Sequence, residues 1–125
     1  MLNLETIVEQ VGAESAAVMF PHETEPWLYC KESVNMPPEW VEITNPLDNT
    51  TSNGKVYLSG EPHVEEHIDI EFVNHFISSV MVVPILKDDR VLATLELIIS
   101  DPAKSFNKNA QSDATQFAAG LADRL

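Results

Sequence analysis

Cysteine is nearly missing from this sequence. Cys30 stands alone in 125 residues, so no internal disulfide forms and a stapled secreted scaffold is excluded. Basic side chains are scarce as well: seven Lys and Arg against twenty Asp and Glu leave a formal charge of −13. A surface of that sign repels phosphate backbones and anionic lipid, which argues against nucleic acid and membrane surfaces as partners. No run approaches the roughly 20 apolar residues of a membrane span. The longest, Val80 to Leu86, is interrupted by Pro84 and suits a buried strand. The opening residues, Met1 to Glu5, have neither the basic start nor the apolar stretch of a secretion signal. A cytoplasmic protein is therefore expected. Also missing are a Gly-rich phosphate loop, a G-x-S-x-G elbow and a histidine–cysteine pairing at catalytic spacing.

What is present suits one folded domain over residues 1–125. Hydrophobic residues make up 44% and charged residues 22%, a globular balance rather than a disordered one. A chain of 13.9 kDa folds to an accessible surface of about 6,700 Å², burying about two thirds of what it exposes unfolded. That is enough for one core.

The pattern along the chain alternates short helices with strands. Leu4, Ile7, Val8 and Val11 fall on one helical face, and Gly12 is a natural stop. Ser15 to Phe20 and Trp27 to Lys31 read as an antiparallel hairpin about the turn Pro21 to Pro26. Pro37-Pro38 followed by Glu39-Trp40-Val41 predicts a short helix, which Pro46 ends. Thr50 to Asn53 crowd the N-cap of a second helix through Val56 to Leu58, with Gly60 as its C-cap. Pro62 to Glu66 reads as a short edge strand, and Ile70 to Phe76 as a further short helix. Ile77 to Leu86 and Val91 to Ile99 form a second, central hairpin about the polar turn 87–90. In its second strand Val91, Ala93, Leu95, Leu97 and Ile99 make an apolar face, while Thr94 and Glu96 interrupt the other. Ala110, Ala114, Phe117, Ala118, Leu121 and Leu125 share one stripe of a last helix that Asn107 would cap. This order describes an α+β sandwich: one antiparallel sheet, terminal helices on its apolar face, short helices and loops over the half-polar face. A small-molecule pocket belongs under those loops.

Gly54-Lys-Val-Tyr-Leu-Ser-Gly60-Glu-Pro62, the hairpin Ser78 to Ile85 with Val91 to Leu97, and Phe106-Asn-Lys-Asn109 before the last helix, together with Gly12 to Met19, resemble the GAF domain family. These are small sensor modules of cyclic-nucleotide phosphodiesterases, phytochromes, histidine kinases and enhancer-binding activators. The resemblance implies the GAF/PAS-like (profilin-like) form of that sandwich and a non-enzymatic sensory or regulatory role. It also implies pairing of two copies through the terminal helices or signalling to a partner protein, since no effector domain lies within these residues. The spare apolar residues Leu2 and Leu121 to Leu125 suit a homodimer. The family's cyclic-nucleotide signature is absent: Asn107-Lys108 sits at the last helix and no Asp-Glu dipeptide occurs. Cys30 follows Tyr29 in the first hairpin, away from where bilin-binding members attach chromophore. The free-methionine sulfoxide reductase on this fold needs a catalytic and a resolving cysteine, and here there is one. No cofactor is expected.

Several groups carry potential chemistry. His63-Val-Glu-Glu-His67 matches H-x-x-E-H, but a zinc peptidase needs it on a helix with a further ligand, and Pro62 makes it strand and loop. His63, His67 and His75 among Glu65, Glu66, Asp69 and Glu71 remain metal-ligand candidates, the basis of an alternative reading as a small metalloprotein or enzyme. Against that stands a solvated acidic loop. Glu96 in a central strand requires exposure, a partner or a hydrogen bond, and with Thr94 it would anchor a ligand at the pocket floor. Trp40, Phe72, Phe76 and Met81, beside Tyr57, either line that pocket or fill core, and His63 and Glu65 border it. Ser52-Asn53-Gly54 with Lys55 could offer amides to an anion. Cys30 reads as a half-buried structural thiol. A roadblock-type interaction module is a further alternative, which a solid core under the short helices would favour.

Overall fold

In the computed structural model, residues 2–125 are described. Helix α1 (Leu4–Val11) leads into the hairpin β1 (Ser15–Pro21) and β2 (Trp27–Val34). Then come α2 (Pro38–Val41), the two-residue strand β3 (Asn45–Pro46), α3 (Ser52–Ser59) and β4 (His63–Glu65). A small hairpin, β5 (Ile70–Phe72) and β6 (His75–Ile77), precedes the long central pair β7 (Ser79–Lys87) and β8 (Arg90–Ile99), and α4 (Ala110–Ala122) closes the chain. The main sheet is antiparallel, in the order β3-β2-β1-β8-β7-β4, and β5–β6 stands apart as its own two-stranded sheet. The accessible surface is 6765 Å², close to the area of about 6,700 Å² that a folded chain of this mass exposes.

Side-chain alternation divides the sheet into two chemistries. Met81, Val83 and Ile85 of β7 and Ala93, Leu95 and Leu97 of β8 meet Leu4, Ile7 and Val11 of α1 and Leu121 of α4 in the larger core. Ala110, Ala114 and Ala118 keep α4 close to the sheet, because small side chains permit near approach. On the other face Val80, Val82 and Ile98 meet Trp40 and Val56, the apolar anchors of α2 and α3.

Helix ends follow the expected chemistry in most places. Gly12 and Gly60, both left-handed, terminate α1 and α3, and the Thr51 hydroxyl accepts from the Gly54 amide at 3.1 Å. Four expectations change. Residues 70–76 form a hairpin rather than a helix: Val73 and Asn74 both take positive φ, the geometry of a two-residue hairpin turn, with Ile70 paired to Ile77. Asn107 does not cap α4, whose N-cap is Asn109 without a side-chain bond. Its amide instead donates to the Gln10 carbonyl at 2.6 Å, and its backbone N–H to Val11, so it satisfies orphan carbonyls at the end of α1. Pro46 ends no helix, since α2 stops at Val41 and Asn45–Pro46 pairs along β2. Leu125 lies past α4 and is exposed, whereas Leu2 and Leu121 are buried in the chain's own core. Met1 lies outside the described residues.

Candidate functional site

A cavity of about 290 Å³ lies between the sheet's half-polar face and its cover of α2, α3 and the β5–β6 hairpin. Small-molecule sites start near this size, roughly 300 Å³. Its floor comes from adjacent strands: Cys30 of β2, Met19 of β1, Glu96 and Ile98 of β8, and Val80 of β7. Its walls are Trp40 and Ile43 around α2 and residues 50–53 at the start of α3. Ile70 and Phe72 of the small hairpin close it over, with Glu65 of β4 at the border.

Glu96 reaches this floor because it shares a face with Val82, opposite it on β7, and with Ala17 on β1. Those neighbours are apolar and supply no charge. Burial pushes its carboxyl up to about 7, and a hydrogen bond from the Asn53 side chain pulls partly against that. Asn53 is oriented for this role. Its Oδ1 accepts from the Thr94 hydroxyl at 2.8 Å, which leaves its amide nitrogen for Glu96. Burial likewise raises the Cys30 thiol; a Ser33 hydrogen bond opposes this and the charge of Glu96 adds to it.

The start of α3 is pinned so that Asn53 stays in place. A Cβ on Gly54 would come within 2.3 Å of the Asp48 carbonyl and 2.4 Å of the Pro46 carbonyl. Only glycine admits so close a backbone approach. Thr50 donates both its amide, at 2.9 Å, and its hydroxyl to Asp48 Oδ1, holding the same loop.

The cover has separate fastenings. Trp40 Nε1 donates to the Phe72 carbonyl at 2.9 Å, and His75 Nε2 meets Glu39 Oε2 at 3.1 Å. The Trp40 ring stands edge-on to His75, with centroids 5.6 Å apart. Glu39 sits below the usual carboxylate range, through a hydrogen bond to its own backbone at the start of α2 and then through His75. Ile70, Phe72, Val73 and Phe76 all remain substantially exposed.

Of the residues expected at the site, Trp40, Glu65, Phe72 and Glu96 border one cavity. Thr94 lies beneath it, fully buried and bonded to Asn53. His63, Phe76 and Met81 are not on its wall. Met81 belongs to the core under the terminal helices, and Phe76 alternates to the outer side of its hairpin. The histidines go three ways: His63 to Glu65 at 2.6 Å, His67 to Ser105 at 3.1 Å, and His75 to Glu39. His67 sits in a left-handed turn after β4, not a helical turn from His63. Among the described residues no three His, Cys, Asp or Glu converge as metal ligands. Sequence reasoning overlooked Met19, Met36 and Asn53 as lining residues. The signal for Asn53 was its place just inside a capped helix, where a polar side chain faces the sheet.

Among the described residues no helix is long and apolar enough to cross a membrane. The GAF domain family model matches residues 3–125. No curated protein matches the sequence. Among solved structures, the second GAF domain of DevS from Mycobacterium smegmatis superposes with a TM-score of 0.77 at 19% identity, over 98% of this chain and 86% of that one. The GAF domain of an Acinetobacter phosphoenolpyruvate-protein phosphotransferase gives 0.77 at 16% identity, over 96% and 75%. A type II free methionine-R-sulfoxide reductase from Thermoplasma acidophilum gives 0.73 at 16% identity, over 95% and 83%. At these identities the likeness is one of fold.

Proposed function

The chain belongs to the GAF domain family, and from that premise we propose that it is a regulatory sensor binding a small molecule in the cavity beneath α2, α3 and the β5–β6 hairpin. The observation that carries this reading is the cavity itself, mostly apolar with a polar wall at the start of α3 and the Glu96 carboxylate on its floor, and roofed by a hairpin outside the main sheet. A solid core at that place would have favoured the roadblock alternative. The relatives named as GAF domains of DevS and of a phosphotransferase sit within larger proteins, which fits a regulatory module rather than a self-sufficient catalyst.

Output passes through the terminal helices to a second copy of the chain or to a partner protein. The route is short: Val80 and Val82 of β7 face the cavity side, while Met81 and Val83 of the same strand pack under α1 and α4. A concentration-independent monomer mass by light scattering would remove the second copy from this scheme. Ligand binding is tested by thermal-shift screening against nucleotides, amino acids, organic acids, amines and metal ions. A ligand at a hundredfold excess over its Kd adds about 2.7 kcal/mol, a rise of several degrees in Tm. A flat response across every class would overturn the sensor reading.

A further inference from the structure

We infer that the cavity selects a small organic cation, an amine on an apolar body, with the Glu96 carboxylate as its counter-ion. The inference deepens the ligand-binding reading above and rests on it.

The charge inventory of the wall is one-sided. It carries Glu96 and Glu65, and no Lys, Arg or His among the described residues. Glu65 already has the His63 imidazole at 2.6 Å. Glu96 has only neutral company: the Asn53 amide, Ala17 and Val82 on the flanking strands, and the Cys30 thiol across the floor. Glu96 is half-buried and its open side is the cavity; a carboxylate drawn that far out of bulk water without a cation is costly. An ammonium group placed there supplies the missing partner, in a setting where charge-assisted hydrogen bonds are strong.

The remaining wall suits the rest of such a molecule. Trp40 and Phe72 offer aromatic rings, which attract cations and not anions. The sulfurs of Met19 and Met36 are polarizable and adapt to an irregular apolar body. An anion would meet the field of Glu96, and against that field the wall sets only neutral groups: Asn45 and, at the start of α3, Thr50, Thr51 and Ser52, with the Gly54 amide already held by Thr51. At about 290 Å³ the space fits a ligand about the size of one substituted ring.

Benzylamine, benzyl alcohol and benzoate test this, having closely similar skeletons with charges of plus one, zero and minus one. Each is titrated calorimetrically into the wild-type chain and into Glu96→Gln at pH 8, with Tm measured in parallel. The expected result is benzylamine binding about tenfold more tightly than benzyl alcohol, with no benzoate binding. In Glu96→Gln the amine's advantage over the alcohol should vanish. If benzyl alcohol or benzoate equals the amine in the wild type, the cation inference is overturned and the sensor reading survives. Binding of none of the three overturns the cation inference, and the sensor reading then stands or falls on the wider screen. The wild-type series alone decides the matter should the variant not fold.

Discussion

Glu96 holds most of the electrostatic tension of the molecule in one side chain. Unfolded, it ionises near the ordinary glutamate value of about 4.3; folded, it keeps its proton until about 7. Between those values the folded state binds the extra proton, so its contribution to stability falls as pH rises. Above 7 the full cost stands, on the order of 3 kcal/mol. Glu96→Gln should therefore be more stable than the wild type at pH 8, with the gap closing toward pH 5. Urea midpoints at the two pH values measure this, and an equal gap at both would refute it. Glu96 was legible in the sequence because a carboxylate within an alternating apolar strand demands a reason. The misplaced Met81 was not avoidable in the same way. Counting back from the turn at Asp88-Asp89, with Lys87 opposite Arg90, places Met81 directly opposite Glu96. A bulge between Ile85 and Leu86 shifts the register by one residue, so that Val82 takes that position. The extra residue is Leu92 of β8, left without a partner between Val91 and Ala93; one such residue turns a strand's other face to its neighbour, and nothing in the local composition announces it.

At the scale of elements, the β5–β6 hairpin decides whether the cavity is closed. Its strands have three residues each and its apolar side chains are half in water, so it draws little stability from burial. The Trp40–Phe72 hydrogen bond is then a major fastening. Trp40→Phe removes that donor while keeping an aromatic ring. It should speed hydrogen exchange of the amides in 70–77 by about fivefold to tenfold, the loss of one hydrogen bond of about 1 kcal/mol, and leave β7 and β8 unchanged. Equal protection in both proteins would show that the hairpin is held elsewhere. The long elements were readable because each carried a full period of its pattern: α1 by its i, i+3, i+4, i+7 stripe, and β7 and β8 by an apolar pair about a polar turn. The small hairpin was not, since Ile70 to Ile77 is too short to separate periods of 2 and 3.6. Its one cue was Asn74 at a two-residue turn, and Val73 beside it masked the cue because β-branched residues seldom take positive φ.

The whole molecule is a sheet with two unlike faces. One is closed by α1 and α4 into a continuous apolar core, and the other is left hollow over Glu96. The division was visible in the alternation of β8 alone, which is why the place of the pocket could be read before its walls could. The walls come from loops and short helices whose packing depends on contacts distant in sequence, such as Thr94 with Asn53 and Trp40 with Phe72. The charge of −13 is spread over both halves of the chain.

The central claim is that ligand enters the hollow face and not the helical one, and the methionines test it directly. Met19 and Met36 line the cavity, while Met81 lies in the core on the opposite side of the sheet. Methyl NMR of ¹³C-methionine-labelled protein, titrated with benzylamine or with any ligand found by thermal shift, reports all three at once. The account predicts that the Met19 and Met36 methyl signals move with saturating dependence on ligand, while Met81 holds its position. Movement of Met81 with Met19 and Met36 fixed would contradict it.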